Sequence, residues 1–321
     1  MKISKTQEKD EITVGELFQI LREPLKMELV NSGSDLTREV GDYSINRPAL
    51  ALMGHFAYFA NTRLQLLGAG EMAFIYEMPP SHQYEVFEIL VAKSVPGIVI
   101  SKGQEPTHPM MDVCRSHATP VFKTELNSND FTTSATLQIR DILAPKVSIY
   151  GTLMDVNGMG VLILGESGIG KSECALALIK NGHSLIADDL VYVKRIGNNP
   201  PIGTCSELSR GYMECRGIGI INIAQLFGIH AVRKDKKIDL VAKFREASVD
   251  IAEDRTGLDT QTVDILGVDV PLYEIPVRPG RDMAKLVEVS ALVHASKVMG
   301  YNGAKDFNDN LIRHMEAKQG M

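Results

Sequence analysis

The chain has 321 residues, enough for about two domains, and its 44% hydrophobic and 23% charged content is ordinary for a soluble globular protein. A formal net charge of -6 disfavours a nucleic-acid partner, which needs a basic surface. No apolar run approaches the ~20 residues of a membrane helix, and the four cysteines show neither C-x-x-C nor zinc spacing. Because the N-terminus opens with mixed charges, we expect a cytoplasmic protein with reduced thiols.

The first part of the chain alternates strand and helix patterns. Thr13 and Glu16 form a capping-box pattern that predicts a helix through Leu21. Short apolar runs predict strands at 64–67, 96–100 and 120–122, and longer runs predict helices at 83–93 and 113–117. This alternation is typical of an α/β domain with a parallel sheet.

A polar, turn-forming sequence at 127–130 predicts a domain boundary. We therefore expect an N-terminal α/β domain, residues 1–130, and a second domain, residues 131–321. The first has no recognisable catalytic constellation, and its role, regulatory or other, stays unassigned. A helix at 132–143 is predicted to bridge from the boundary to Pro145, where the body of the second domain begins, and two more helices at 283–299 and 307–318 are predicted to close the chain. The helix at 283–299 is apolar nearly all round and is expected to be buried or at an interface.

One glycine-rich stretch organises the second domain. Its eight residues are Gly165, Glu166, Ser167, Gly168, Ile169, Gly170, Lys171 and Ser172. They match G-x-x-x-x-G-K-[ST], the Walker A pattern of a P-loop whose backbone N–H groups bind nucleotide phosphates. An apolar, partly β-branched run precedes the loop, and a helix-forming run ending before Gly182 follows it. Strand, loop and helix in this order favour nucleotide binding over an accidental glycine-rich turn.

The residue types in this loop predict separate roles. Gly165 and Gly170 permit backbone angles and close phosphate approach that a Cβ would block. Lys171 is expected to reach the terminal phosphates, and the Ser172 hydroxyl is expected to enter the coordination shell of Mg²⁺.

Two acidic residues follow the next apolar run. Asp188 and Asp189 come directly after a predicted strand at 185–187, where such folds present a metal-orienting acid or a base. Neighbouring residues on a strand point to opposite faces, so at most one of them is expected to face the phosphates. The alternative, a pair of solvated loop acids, is disfavoured by the apolar run before them.

Three further segments place charge beside glycine or proline. The first segment is residues 214–222, in which Glu214 is a candidate Mg²⁺ ligand. Alternatively, this segment is only a structural bend that an ion pair between its glutamate and its arginine closes. Arg255 precedes a glycine turn. The third segment is the loop Pro276, Val277, Arg278, Pro279, Gly280 and Arg281. Its two arginines are suited to binding phosphate, although such arginines are also common on plain surfaces. A basic run at 233–237 predicts a solvated turn.

Taken together, these segments resemble bacterial HPr kinase/phosphorylase over essentially the whole chain. The resemblance rests on four ordered motifs, G-E-S-G-I-G-K-S, A-D-D, E-C-R-G-I-G-I-I-N and P-V-R-P-G-R. It implies ATP-dependent phosphorylation of a serine in the phosphocarrier protein HPr of the sugar phosphotransferase system. It also implies phosphorolysis of that phosphoserine by inorganic phosphate, which gives pyrophosphate, together with Mg²⁺ dependence and a homohexamer.

The resemblance also implies roles for the residues around the nucleotide. Lys171 binds the β and γ phosphates, and Ser172 holds the metal. Glu214 is a second metal contact, and Asp188 supports the metal or its water.

Further roles concern proton transfer and the reverse reaction. Asp189 is the base that accepts the serine proton, and protonated Asp189 returns it in phosphorolysis. Arg255 matches an active-site arginine, and the loop from Pro276 to Arg281 matches the segment tied to dephosphorylation. Tyr150 stands where the family carries a histidine near the catalytic acid. Because tyrosine stays neutral near pH 7, we expect no proton-shuttle role there and an altered pH dependence or weakened activity in one direction.

Two other functions stay open from the residues alone. The glycine loop does not specify the acceptor, so one alternative is a P-loop kinase acting on a small molecule. Tyr150 leaves open the other, a regulatory protein with an impaired site that binds nucleotide without turnover. The lack of an N-K-x-D guanine-reading motif disfavours a GTPase.

Overall fold

The computed structural model describes residues 12–246 and 261–319. Over these residues the chain forms two compact units, divided between Ala144 and Pro145. Each unit mixes helices and strands, which confirms the predicted α/β class. Among the described helices, none combines the length and the apolar character that crossing a membrane requires.

The N-terminal unit has six described strands, which form one four-stranded sheet and one two-stranded sheet. Its strands are β1 (Ile12–Thr13), β2 (Met27–Leu29), β3 (Glu39–Val40), β4 (Gln65–Leu67), β5 (Ile98–Ile100) and β6 (Val121–Thr124). Its helices are α1 (Val14–Leu21), α2 (Ala49–Leu52), α3 (Ala69–Glu77), α4 (Pro80–Ala92), α5 (His108–Ser116) and α6 (Ser128–Ile142). The sheet order is β2-β6-β5-β4, in which β4, β5 and β6 are parallel and β2 is antiparallel to β6. The predicted parallel sheet is therefore present, with one antiparallel edge strand.

The predicted helices of this unit are present, some with earlier starts. Thr13 caps α1 through a complete capping box, as predicted. Helices α4 and α5 begin at Pro80 and His108, before the predicted positions 83 and 113. Each carries proline in its first turn, where the missing N–H removes no helical hydrogen bond.

Helix α6 belongs to the N-terminal unit, so the domain boundary lies later in the chain than predicted. The Asn127 side chain accepts a hydrogen bond from the Asp130 N–H, so the sequence predicted as a boundary turn is the start of a helix. Phe131, Ala135 and Ile139 on this helix are fully buried in the N-terminal core. The structure consequently places the boundary after residue 144, rather than at residue 130.

The C-terminal unit is built on two larger sheets and a hairpin. Its strands are β7 (Lys146–Tyr150), β8 (Thr152–Val156), β9 (Met159–Leu164), β10 (Ser184–Ala187), β11 (Leu190–Lys194), β12 (Ile202–Thr204), β13 (Tyr212–Cys215), β14 (Gly219–Asn222), β15 (Asp235–Lys237), β16 (Leu240–Glu246), β17 (Gln261–Ile265) and β18 (Val268–Val277). Its α-helices are α7 (Lys171–Lys180), α8 (Ile223–Phe227), α9 (Met283–Val298) and α10 (Gly303–Gln319).

The six-stranded sheet of this unit has the order β10-β8-β9-β16-β18-β17. Strands β9, β16 and β18 are parallel, and β8 is antiparallel to both β9 and β10. Four strands, β10, β9, β16 and β18, therefore run in one direction. Their carboxyl ends share one edge of the sheet, which is where ligands bind in open α/β sheets.

Both faces of this sheet are buried. One face packs against α7 and α9, and the other packs against the four-stranded sheet β15-β12-β11-β7. Strand β16 shows the alternation, because Ala242 and Phe244 lie in the core under the helices whereas Val241 lies in the core between the sheets. Burial on two sides explains why β9 is apolar throughout and why β16 opens with the apolar residues 240–242.

The basic run at 233–237 differs from its prediction. Residues 235–237 form β15, which pairs with β12. Arg233 and Lys236 both form salt bridges to the buried carboxylate of Asp155, at 2.9 and 3.0 Å. The prediction of a turn is therefore wrong, whereas the predicted exposure to solvent holds for every residue of the run except the half-buried Lys236. The local sequence could not show the ion pairs because the partner acid lies on β8.

Candidate active site

The glycine loop connects β9 to α7 at the carboxyl edge of the six-stranded sheet. Gly165, Gly168 and Gly170 have φ values of 154°, 85° and 103°, which strain any residue with a side chain. A Cβ on Gly165 would lie 3.0 Å from the carbonyl oxygen of Phe244 on β16. The loop thus turns tightly over the neighbouring strand before the helix begins.

The start of α7 makes this loop suited to anions. The first N–H groups of a helix lack partners within it, and the helix dipole adds positive potential there. Lys171 is the first residue of α7, and its Nζ donates to the carbonyl oxygens of Gly165 and Glu166, both at 2.9 Å. The ammonium group therefore lies across the same loop that the helix N-terminus faces.

The two acidic residues lie in the connection between β10 and β11 rather than on a strand. Asp189 has a φ of 65°, a left-handed conformation that aspartate tolerates better than most residues. Its side chain is exposed, whereas the Asp188 side chain turns inward. The two carboxylates thus have different surroundings and are suited to different roles.

Asp188 is held by two hydroxyl groups. Its Oδ1 accepts hydrogen bonds from Thr152 Oγ1 at 2.7 Å and from Ser172 Oγ at 3.3 Å. Its Oδ2 is buried without a hydrogen-bond partner among the described residues. Burial raises the pKa of Asp188, the hydrogen bond from Thr152 opposes that rise, and the charge of Asp189 adds to it. Sequence reasoning missed Thr152, because no local pattern marks a threonine on β8.

The Asp188–Ser172 pair fits a magnesium ion. Mg²⁺ prefers oxygen ligands and is usually bound by one or two carboxylates together with substrate phosphates. Asp188 Oδ2 offers a carboxylate oxygen that has no hydrogen-bond partner within residues 12–246 and 261–319, and the Ser172 hydroxyl contacts the same carboxyl group. Within the described residues, no three His, Cys, Asp or Glu side chains form a metal cluster.

The hairpin of β13 and β14 lies beside α7. Met213 is 2% exposed and belongs to the core that includes α7. Glu214 is exposed, and in the part of the chain that the structure describes no ion pair joins it to Arg216, so the bend is not closed by that pair. Arg216 instead lies over the glycine loop, with Nη1 3.2 Å from the position that a Cβ on Gly168 would take. Sequence analysis assigned Arg216 no place in the site, and its only signal was a charge in a glycine-rich segment.

Tyr150 lies next to Asp189. It ends β7 and pairs with Leu190, the first residue of β11. The following N–H, that of Gly151, donates to the Asp189 carbonyl at 3.0 Å. The Tyr150 side chain is 82% exposed, and no hydrogen bond joins its hydroxyl to Asp189 among the described residues. The hydroxyl is therefore open to solvent and to an approaching ligand.

The arginine loop lies at the same edge, and its first two residues, Pro276 and Val277, are the last two of β18 rather than part of a loop. The Arg281 N–H donates to the Arg278 carbonyl at 3.2 Å, and Gly280 in this turn has a φ of 79°. Arg281 Nη1 also donates to the Pro276 carbonyl at 3.3 Å. Part of the Arg281 guanidinium thus holds the loop itself together.

The sheet edge brings most of the predicted site together. It carries the glycine loop, Asp188 and Asp189, and the arginine loop, with Tyr150 beside the acids. Arg255 falls in residues 247–260, outside the described residues. An anion-binding loop, a carboxylate suited to a cation and an exposed second carboxylate are the components that phosphoryl transfer requires.

Known proteins match both units of the chain. Residues 12–139 match the family model "HPr Serine kinase N terminus", and residues 141–311 match "HPr Serine kinase C-terminal domain". The HPr kinase/phosphorylase of Caldicellulosiruptor bescii is 39% identical over 309 residues, which are 96% of this chain and 98% of that protein. The HPr kinase/phosphorylase of Lachnoclostridium phytofermentans is 38% identical and covers 91% of this chain and 96% of its own.

One solved structure, the Hpr(Ser) kinase/phosphatase from Coxiella burnetii, is 36% identical and covers 50% of this chain and 98% of its own, with a TM-score of 0.45. The family models and the two sequence relatives together span nearly all of the chain. This protein therefore belongs to the HPr kinase/phosphorylase family.

Proposed function

We propose that this protein is a bifunctional kinase and phosphorylase acting on a serine of the phosphocarrier protein HPr. In one direction it transfers the γ-phosphoryl group of ATP to the serine. In the other, inorganic phosphate removes that group as pyrophosphate. The observation that carries the proposal is that the glycine loop, the half-buried Asp188 with its hydrogen bond from Ser172, and the exposed Asp189 meet at one sheet edge. Residues 145–321 are then the catalytic P-loop kinase domain.

The glycine loop and Lys171 hold the β and γ phosphates of ATP. Backbone N–H groups and the ammonium group offset the phosphate charge, which repels an attacking oxygen. Bound Mg²⁺ supplies further neutralisation of that charge. Ser172 and Asp188 would hold the ion, with Glu214 on the neighbouring hairpin as a further ligand.

Asp189 moves the serine proton. Its exposure suits an acceptor serine on the surface of another protein better than a small molecule enclosed in a pocket. As the serine oxygen bonds to the γ-phosphorus and the bond to the bridging oxygen breaks, the proton passes to Asp189. In phosphorolysis a phosphate oxygen bonds to the phosphoserine phosphorus, and the serine oxygen leaves with the proton from Asp189.

Phosphorolysis also requires positive charge for two phosphate groups at once. The glycine loop holds one of them, and Arg278 and Arg281, together with Arg255, would bind the other. The internal hydrogen bonds of the arginine loop limit its freedom before the anion arrives, which favours binding.

A homohexamer is part of the proposal. Helix α9 buries Ala284, Val287 and Ala291, but it leaves Leu292 52% and Val293 42% exposed. Apolar side chains grouped on one exposed face are typical of surfaces that associate. A second copy of the chain would cover this face.

Transfer of label from [γ-³²P]ATP to purified HPr tests the proposed function. We expect labelled HPr that depends on Mg²⁺ and on the acceptor serine, with no label on an HPr in which that serine is alanine. An intact, ATP-binding protein that fails to label HPr would overturn the proposal and favour a small-molecule kinase or a regulatory nucleotide-binding protein.

Tyr150→His is expected to change the pH dependence of both reactions. A histidine can gain a charge near neutral pH, because its reference pKa is about 6.5, and the nearby Asp189 carboxylate favours that charged form. The variant should therefore show a new inflection at or above about pH 6.5 that wild type lacks. Rates measured in both directions from about pH 5.5 to 9 check this. Identical profiles for the two proteins would mean that position 150 takes no part in charge or proton transfer.

A further inference from the structure

A guanidinium group lies over the glycine loop without a role in the reaction described above. Arg216 follows β13 in the turn of the hairpin, where Cys215 pairs with Gly219. A Cβ on Gly168 would lie 3.2 Å from Arg216 Nη1, 3.8 Å from Nη2 and 3.9 Å from Cζ. Because three guanidinium atoms lie so close to one glycine position, the group covers the middle of the loop.

The position of Arg216 is set by the stem of its hairpin. Met213 and Ile223 are buried in the core that includes α7, at 2% and 0% exposure. The Ile223 N–H donates to the Gly211 carbonyl at 2.7 Å, which joins the two ends of the hairpin. Since the stem is packed and the turn is short, the fold presents the Arg216 side chain to the loop.

The surroundings of Arg216 are electropositive. It faces the loop before the N-terminus of α7, and the Lys171 ammonium group lies across that loop. In the described part of the chain, no acidic side chain pairs with Arg216. The guanidinium and ammonium groups thus lie on two sides of a loop of backbone N–H groups. Such an arrangement binds an anion, because the negative charge offsets the repulsion between the positive groups.

We propose that Arg216 is a catalytic residue that acts as an arginine finger within its own chain, an assignment that rests on the proposed function. It donates hydrogen bonds to the phosphoryl group on the glycine loop while that group is transferred. In the kinase direction the bond from the γ-phosphorus to the bridging oxygen breaks, and the leaving oxygen gains negative charge. The serine oxygen forms the new bond, and its proton passes to Asp189. The guanidinium group offsets the charge that develops on the phosphoryl and leaving oxygens.

Arg216→Met tests the proposal, with Lys234→Met as the matched control. Lys234 is exposed in the same unit, so its substitution removes one positive charge away from the loop. We expect Arg216→Met to lower the rate of HPr phosphorylation by about 10³-fold, as for other arginine fingers, and Lys234→Met to leave it unchanged.

Calorimetric titration with Mg²⁺–ADP, with and without aluminium fluoride, gives a second readout. Wild type should bind the fluoride complex more tightly than ADP alone, and Arg216→Met should lose that gain while its ADP affinity changes by less than about 3-fold.

An Arg216→Met protein with the wild-type rate, or with equal losses for ADP and for the fluoride complex, would overturn the proposal. Arg216→Lys retains the charge but loses the planar fork, so we expect it to recover only part of the rate. The same titrations on Arg216→Lys decide the question if the methionine variant does not fold. If wild type binds the fluoride complex yet does not phosphorylate HPr, the proposed function fails, and the titrations still test Arg216.

Discussion

Asp189→Asn is expected to slow both HPr phosphorylation and phosphorolysis by about 10²–10⁴-fold, the range of a general acid–base contribution. The amide neither accepts the serine proton nor returns it. Asparagine tolerates the left-handed backbone of this position, whose φ is 65°, so the local fold and the hydrogen bond from Gly151 should be retained. Initial rates in the two directions, at saturating ATP or phosphate, measure the effect.

Asp269→Asn is the matched control for this prediction. Asp269 is exposed on β18 in the same unit, so its substitution makes the same chemical change outside the site. It should leave both rates unchanged. If Asp189→Asn kept the wild-type rate in either direction, one carboxylate could not be serving both reactions.

Asp188→Asn is expected to affect stability and activity in opposite directions. Burial raises the pKa of Asp188, so the folded protein holds this proton more tightly than the unfolded chain does. Stability therefore falls as the pH rises from the usual carboxyl value of 3.8 through the raised value of the folded state. The amide of the Asp188→Asn variant has no charge to bury, so the variant does not lose stability in this pH range. Without metal, the variant should melt at a higher temperature than wild type at about pH 7 and lose that advantage at about pH 3.

The activity of Asp188→Asn should fall, because the amide keeps an acceptor for Thr152 and Ser172 but supplies no carboxylate to a cation. Loss of a residue that only supports a metal ligand typically lowers metal affinity by about 10–100-fold. Because Asp188 would contact the metal itself, we expect a decrease of roughly 100-fold. Melting curves with Mg²⁺–ADP check this, since the ligand should stabilise wild type more than the variant. Equal stabilisation of the two proteins would contradict a metal-binding role for Asp188.

The glycine loop was predictable because its signals are contiguous in sequence. A buried strand, the fixed glycines and a helix start follow one another directly, and each signal depends on local backbone chemistry. The capping box at Thr13 and Glu16 predicted α1 for the same reason. Where a signal is local, the sequence predicts both the element and the residues at its ends.

Contacts between distant segments were not predictable in this way. Thr152 reaches Asp188 across 36 residues of sequence, and Arg216 reaches Gly168 from the β13–β14 hairpin. No pattern of residue types or spacing marks such pairs, because neighbouring strands in a sheet are set by the whole fold. Sequence alone therefore singled out the two acids that the structure places at this sheet edge, but it missed the hydroxyl that holds Asp188 and the guanidinium group over the loop.

The domain boundary illustrates a conflict between local and tertiary signals. Asn127 and Asp130 are typical turn residues, and they are equally typical of a helix start. The buried positions of α6 decide between the two, since Phe131 and Ile139 pack in the N-terminal core. Burial of a helix face depends on its partners, which a local turn signal does not contain.

Release of pyrophosphate from serine-phosphorylated HPr on addition of inorganic phosphate tests the central claim most directly, because it requires one site to hold two phosphate groups. We predict one pyrophosphate for each phosphoserine lost, with no pyrophosphate when phosphate is omitted and a strong reduction in the Asp189→Asn variant. Loss of the phosphoserine as free phosphate, or its retention in the presence of folded, ATP-binding protein, would contradict the account.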